Sequence, residues 1–320
     1  MKVQEMWEEF SKKCNVNDKY DQWAFCGGGK EADELLDLVK EGKKRGTASS
    51  LIAYETEGEP LPKVGSYSVV TDSRGEAGVI IRDTKVSLVP FSIVHPYHAF
   101  LEGEGDRSLS YWREVHERFF APDYEAAGLP FDEDGLCVLE EFECVWPEEY
   151  RDSSPLYLTL PEEEEWKEIL EYREETRKSG TLDGMGTLGS AEDVREWIKK
   201  EKKMCFPQFV PSHLVPDTVL FAKRRSDGRI IGMTTLRHSL NPHLRKFGGN
   251  IGYAVRPAQR GKGYGSEILR LALPYCSALK MDGVLLTCSF DNLPSRNTIL
   301  RNGGVFEGET EGIERYWIVL

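Results

Sequence analysis

The sequence predicts two domains of mixed α and β structure. Residues 1–150 read as a small β-barrel with helices attached, and residues 151–320 as a unit in which a hairpin leads into alternating strands and helices. Three observations predict this. At 320 residues the chain exceeds the roughly 100 to 200 of one domain and can bury a core in each of two. Charge is unevenly divided: residues 1–153 hold 17 Lys and Arg against 32 Asp and Glu, whereas the remainder hold 24 against 22. A polar stretch, P-E-E-Y-R-D-S-S-P at 147–155, follows a strand-like run and reads as a linker.

In the first half, residues 31–43 place Leu35, Leu36 and Val39 on one helical face. Residues 67–71 and 79–81 read as strands flanking the turn sequence D-S-R-G, and 85–89 alternate as another. Ser108 caps a helix that repeats Leu109, Trp112, His116 and Phe119 at helical spacing, and 137–146 end in the alternation E-F-E-C-V-W.

In the second half, residues 162–178 carry Trp166, Ile169, Leu170 and Arg173 in helical register, and Ser190 with Asp193 three residues on reads as the cap of a second helix. The glycine-rich stretch between them, 179–190, is expected to be a flexible lid. Residues 218–223 and 230–236 form a hairpin about Ser226-Asp227-Gly228. Strand, helix, strand and helix follow at 251–255, 264–279, 284–288 and 294–301.

Composition narrows the function. No apolar run approaches the eighteen or so residues of a membrane helix and residues 1–10 lack a signal-peptide pattern, so no membrane partner is expected and the location is read as cytoplasmic. Seven cysteines without a C-x-x-C pair support neither a disulfide framework nor a thiolate zinc site, and no metal is expected. The acidic first half repels polyphosphate but leaves room for a pocket that takes one nucleotide or nucleoside. Residues 223–262, by contrast, hold ten Lys and Arg against Asp227 alone, which points to an anionic ligand there.

The most specific signal lies in that basic stretch: R-P-A-Q-R-G-K-G-Y-G-S-E at 256–267, between a strand and an amphipathic helix. Glycines at 261, 263 and 265 let successive N–H groups turn toward one anion, and the helix adds its positive end. Such a loop binds phosphate or pyrophosphate. Three or four charge-assisted hydrogen bonds at about 1.5 to 3 kcal/mol each can offset an association cost of about 4 to 15 kcal/mol. The glycine spacing and the intervening Pro257 do not fit a Rossmann turn, and no Walker loop occurs.

Arg260-Gly261-Lys262-Gly263-Tyr264-Gly265 resembles the R-x-x-G-x-G/A acetyl-CoA loop of the GNAT N-acetyltransferases, and it follows the strand I-G-Y-A-V as their fourth strand does. The stretch 236–253, and Asn292, Ser295 and Arg296 with the Asn302-Gly303-Gly304 turn, resemble one bacterial branch, so the likeness spans about 155–320. It implies a mixed twisted sheet flanked by helices, with acetyl-CoA as donor and an unidentified amine as acceptor. Amides of residues 260–265 would hold the pyrophosphate, the backbone at Ala254 and Val255 would pair with pantetheine, and Asn292 would hold the same arm, with Ser295 and Arg296 counted beside it. An alkyl amine of pKa near 10.4 must lose a proton at a cost of about 4 kcal/mol at neutral pH, so a base is needed. His238, Tyr253 and Arg237 are the candidates near the reacting carbon, with Asn241 as a substrate contact; histidine is the natural base near neutrality. The plainer readings are a strand-end histidine and a packed strand tyrosine. The Tyr acid that many relatives place seven residues after the Asn is Ile299 here, so another side chain or water would protonate the thiolate. Cys288 is read as buried rather than nucleophilic.

In the first half, G-K-K-R-G-T-A-S at 42–49 follows a helix, and one further helical turn would bring Lys44 and Thr47 onto one face. They could serve as base and nucleophile if the lysine is neutral, with Lys43 and Arg45 lowering its pKa; the alternative is a basic helix end complementing the macrodipole. E-G-E-G-D-R-S-L-S-Y-W-R at 102–113 adds Glu102, Glu104 and Asp106 beside glycines. His116, on the apolar face of its helix, reads as a satisfied core histidine, and His95 and His98 as loop residues. Both runs, with L-P-K-V-G-S-Y-S-V-V-T-D at 61–72, resemble the ASCH domain, a PUA-like β-barrel, over about 5–147. That resemblance implies a cleft for RNA or a nucleotide-like ligand, with Lys44, Thr47 and Glu104, or Glu102, as its functional groups.

The whole chain is therefore read as an ASCH-like barrel fused to an acetyl-CoA-dependent N-acetyltransferase. Two alternatives stand beside it: an acyl-CoA sensor that never transfers, and a first half that is itself the functional part, as a nucleoside amidohydrolase or RNA-binding protein.

Overall fold

Two long strands with buried faces organise the first half of the chain, because each can pair on both sides and carry helices against its apolar residues. In the computed structural model, which describes residues 1–180 and 182–320, the chain divides into two units, Met1–Ser153 and Ser154–Leu320. The long strands are β4 (Ala77–Pro90) and β5 (Leu136–Trp146); with β1 (Tyr20–Trp23), β2 (Gly46–Ser50) and β3 (Tyr67–Thr71) they form a sheet of order β1-β3-β4-β5-β2, antiparallel except for β1 on β3. Among the described residues no ladder joins β1 to β2, so an open five-stranded sheet stands where a barrel was expected. The runs 79–81 and 85–89 are one strand, made continuous by a register shift between Asp83 and Lys85.

Helices cover this sheet by spending their apolar spacing on it. In α1 (Val3–Cys14), Val3, Met6, Trp7 and Phe10 pack on Val69 and Ile80; in α2 (Gly29–Lys40), Leu36 and Val39 pack on Val70, Val79 and Ile81. The short α3 (Leu51–Glu57) and α4 (Pro96–Glu102) precede α5 (Leu109–Ala126), whose Trp112 and Phe120 join Ala48 and Leu139. The helical turn expected at 44–47 is absent: α2 ends at Lys40 and the chain enters β2 at Gly46. His95 and His98 are not loop residues either, since His95 caps α4 and His98 is buried within it.

The second unit holds two sheets. β6 (Leu156–Thr159), β7 (Asp217–Arg224), β8 (Ile230–Arg237) and β9 (Ile251–Val255) form one antiparallel sheet, and β10 (Gly283–Ser289), β12 (Ile313–Val319) and β11 (Val305–Thr310) form the other. The core of α6 (Trp166–Lys178) and α7 (Val194–Glu201) lies on Val219, Phe221, Met233 and Ala254. Asp193, rather than Ser190, caps α7, because its carboxylate accepts from the N–H groups of Arg195 and Glu196. The expected lid is partly anchored: Met185 and Leu188 are fully buried beside Tyr172 and Trp197, while Thr181 lies outside the described residues. On the other side of β8 and β9 lie α8 (Tyr264–Ala278) and then α9 (Leu293–Arg301). No helix among the described residues is long and apolar enough to cross a membrane.

Candidate functional site

The two sheets of the second unit meet at one point. Asn250 N–H donates to Leu285 O at 2.6 Å, and Leu285 N–H donates to the Asn250 side-chain oxygen at 2.9 Å. Gly249 is needed for this approach, since a Cβ there would lie 2.4 Å from the Leu285 carbonyl oxygen. Beyond it, among the described residues, no ladder joins β9 to β10, so the strands part and no described strand pairs with that edge of β9.

Register decides which groups that edge offers. Arg237 N–H donates to Asn250 O and Arg256 N–H to Ile231 O, so even-numbered residues of β9 point their backbone groups at β8 and odd-numbered ones point them away. Val255 and Tyr253 therefore face the gap. Ala254 does not: it is turned toward Met233, and its carbonyl also accepts from Tyr172 Oη at 3.2 Å, which corrects its expected pairing with pantetheine.

At the end of β9 the chain forms the glycine loop. Gly261 and Gly263 have φ of +78° and +83°, and a Cβ at either would meet nothing within 4 Å, so the concavity is open. Gly263 caps the fifteen-residue α8 with no side-chain bond. Among the described residues none accepts a hydrogen bond from the main-chain N–H groups of 261–265. Five donors at a helix N-terminus are thus left for an anion. Arg260 turns its Nε to Val255 O at 3.1 Å and Lys262 reaches Gln259 at 2.9 Å, which braces the loop on itself.

Other expected donor contacts are committed within the protein. The Asn292 side-chain oxygen caps α9 by accepting from Ser295 N–H at 3.1 Å, and Ser295 Oγ lies 3.0 Å from Tyr253 Oη. Arg296 is held by both oxygens of Glu314, at 2.8 and 2.6 Å, and is thereby neutralised. Burial pushes the Cys288 thiol up to about 11, so it is no thiolate near neutrality, and Ile299 is fully buried.

Burial disfavours the charged form of the expected base. His238 Nε2 lies 3.0 Å from Thr218 Oγ1, and burial lowers its pKa to about 4, which makes it a weak base near neutral pH. Asn241 spends its side-chain oxygen on Leu244 N–H at 2.9 Å, closing the turn 244–248. Arg237 donates to the carbonyls of Gly248 and Gly249 at 3.0 and 3.2 Å and lies beside Gly252. Around it are groups that the sequence reading did not reach. The buried Glu201 and the half-buried Asp217 lie together near Arg237, and Gly184, at φ +78°, abuts β9 so closely that a Cβ would lie 1.9 Å from Tyr253 O. Only tertiary contact makes these residues neighbours; nothing in their spacing announces it.

The first unit contains a second constellation. Lys44, 1% exposed, donates to Glu104 Oε1 at 2.6 Å and Glu102 Oε2 at 3.2 Å, so both candidate carboxylates engage it. The other oxygen of Glu102 accepts from Trp112 Nε1 at 2.6 Å and faces His98 Nε2 at 3.1 Å and His116 Nε2 at 3.5 Å. His116 Nδ1 meets Trp112 O at 2.9 Å, so both ring nitrogens face acceptors, which favours the protonated ring; burial alone would lower its pKa, but Glu102 raises it above the ordinary value. Burial alone would lower Lys44, but the two carboxylates hold it above its ordinary value. It is therefore an ammonium and not the neutral base that Thr47 would need. Nor does Thr47 hydrogen-bond to it: Gly46 faces His98 and Leu101, so by strand alternation Thr47 turns to the other face, opposite Glu140. There burial, then Asp83, pushes Glu140 up to about 8. No group of three or more metal-ligating side chains occurs among the described residues.

Comparison with known proteins assigns both units. Residues 21–146 match the ASCH domain model, and residues 156–305 match the acetyltransferase (GNAT) domain model. The ASCH domain from Lactobacillus crispatus JV V101 is 34% identical, over 44% of this chain and 92% of that one, with a TM-score of 0.42. A GNAT-family acetyltransferase from Bacillus anthracis is 18% identical over 52% and 96%, with a TM-score of 0.39. The microcin C7 self-immunity acetyltransferase MccE, solved with acetyl-CoA and AMP, is 17% identical over 52% and 94%, with a TM-score of 0.40. No curated protein matches the chain.

Proposed function

Because the chain belongs to the ASCH family and carries a GNAT acetyltransferase domain behind its ASCH domain, we propose that it transfers an acetyl group from acetyl-CoA to an amine acceptor. One observation carries the donor assignment: the five unpartnered N–H groups of 261–265 sit at the head of α8, beside the unpaired edge of β9. A pyrophosphate satisfies the first, and an amide-bearing arm can accept from the outward N–H groups of Tyr253 and Val255 along the second. Calorimetric titration of the whole protein with acetyl-CoA, beside Gly263→Val, tests this. Micromolar binding is expected in the wild type and is expected to be lost in the variant, because a β-branched side chain cannot hold φ near +83° and would occupy the anion's place. A folded wild type that binds nothing would remove the donor assignment.

For the ASCH domain the charge balance favours a small, weakly charged ligand over RNA. Residues 1–153 carry an excess of fifteen acidic groups, which repels a polyanion, and Lys44 is already neutralised by two carboxylates. Binding of free nucleosides without binding of RNA at low salt is the expected result; tight RNA binding would reverse this reading.

A further inference from the structure

On the face of this unit's first sheet opposite α8, two carboxyl groups lie against each other: the buried Glu201, the last residue of α7, and the half-buried Asp217, the first of β7, whose Oδ1 is out of solvent. Burial, then the neighbouring carboxylate, holds Glu201 well above the ordinary range. Burial likewise raises Asp217, while Arg237 and Glu201 pull it back. Two such groups out of water do not both ionise, so the pair holds one proton near neutral pH. The other charged or titratable groups facing them are Lys200 on α7, Cys205 and, on β8, Arg237. Thr187 Oγ1 donates to Glu201 Oε2 at 3.0 Å and accepts from Trp197 Nε1 at 2.8 Å, which fixes the carboxyl's orientation.

The surroundings hold unused polar capacity. Asp217 Oδ1 and Thr235 Oγ1 are buried without a partner among the described residues, and Thr235 is only 3% exposed. Thr235 lies across the ladder from Gly252, its Oγ1 3.0 Å from the place of a Cβ on Gly186, next to Thr187. Arg237 flanks Gly252, and Gly184 covers the Tyr253 carbonyl. These groups converge on residues 252–253 of β9, where that strand leaves β10.

We propose that the Glu201–Asp217 pair is the proton acceptor for the amine in acetyl transfer, with Thr187 and Arg237 as positioning residues. This rests on the acetyl-transfer reading above. The ionised carboxylate takes one proton from the ammonium, and the freed lone pair forms the N–C bond to the thioester carbon. The C–S bond breaks, the remaining extra proton on nitrogen passes to the CoA thiolate, and the pair returns its proton to water.

Glu201→Gln and Asp217→Asn keep the shape and remove the titrating group. CoA release is followed with spermidine, a lysine peptide and an aminoglycoside, and separately with hydroxylamine, whose nitrogen is unprotonated at neutral pH and needs no base. With an alkyl amine, wild-type kcat/KM should rise with pH through the ionisation of the pair. Each variant should lower it by roughly a hundredfold or more, keep the hydroxylamine rate within a few-fold and bind acetyl-CoA unchanged. Thr187→Val should move this ascending limb to higher pH, because the lost donor favoured the ionised form; a merely structural residue would leave the limb in place. Equal losses with both kinds of nucleophile, or full activity with alkyl amines, would overturn the assignment. A wild type that acetylates neither kind removes the acetyl-transfer reading and this assignment with it.

Discussion

Lys44 and Glu140 stand on adjoining strands or their approaches, yet burial acts on them in opposite ways. Lys44 is surrounded by carboxylates and stays charged, so Lys44→Met should leave Glu102 and Glu104 uncompensated and destabilise the first unit by about 3 to 5 kcal/mol, read by denaturant unfolding. Among the described residues Glu140 has no such partner, and burial, then Asp83, pushes its pKa up to about 8, with Asp83 itself at about 6. A raised carboxyl keeps a proton that the unfolded chain releases at its ordinary pKa. Its contribution is therefore full in acid and is lost as pH rises toward about 8. Glu140→Gln should accordingly raise the melting temperature more above pH 8 than near pH 5. The sequence makes Lys44, Thr47, Glu102 and Glu104 visible as chemistry, but it cannot show that two carboxylates hold the lysine protonated, or that burial weakens His238 as a base. Those outcomes depend on desolvation by residues far away in the chain.

Among the elements, periodic patterns were legible where the strands and helices carry them strongly. Residues 67–71, 137–146, 251–255 and 264–278 alternate or repeat clearly and form β3, most of β5, β9 and α8. β2 is G-T-A-S-S, too small and polar to alternate, and it becomes a strand because β5 offers it an edge. α1 carries the i, i+3, i+4, i+7 spacing of Val3, Met6, Trp7 and Phe10, a signal overlooked when those residues are weighed only as a leader. The segment 182–190 looks mobile from its glycines alone, whereas Gly184 lets it approach β9. Gly184→Ala should cost about 1 to 3 kcal/mol through the clash with Tyr253 O and should lower acetyl transfer in parallel, checked by thermal melting and CoA release.

At the scale of the molecule, the acidic excess belongs to one unit and the anion cradle to the other, each with its own buried clusters. A donor that binds only the folded second unit should raise that unit's calorimetric transition, by about 2.7 kcal/mol at a hundredfold excess over Kd, and leave the transition of the first unit in place. The charge division and the glycine loop disclosed this arrangement in the sequence; the parting of β9 from β10 did not, since it depends on Gly249 and Asn250 meeting Leu285 and on nothing following them. That parting also bears on the protein's life between turnovers. The edge of β9 at Tyr253 and Val255 has no pairing strand among the described residues, and such an edge is a template for an extended chain, so a molecule depleted of donor is the one exposed to stray strand addition and aggregation. The cofactor supply of the cell would then govern how long the protein persists as well as how fast it works.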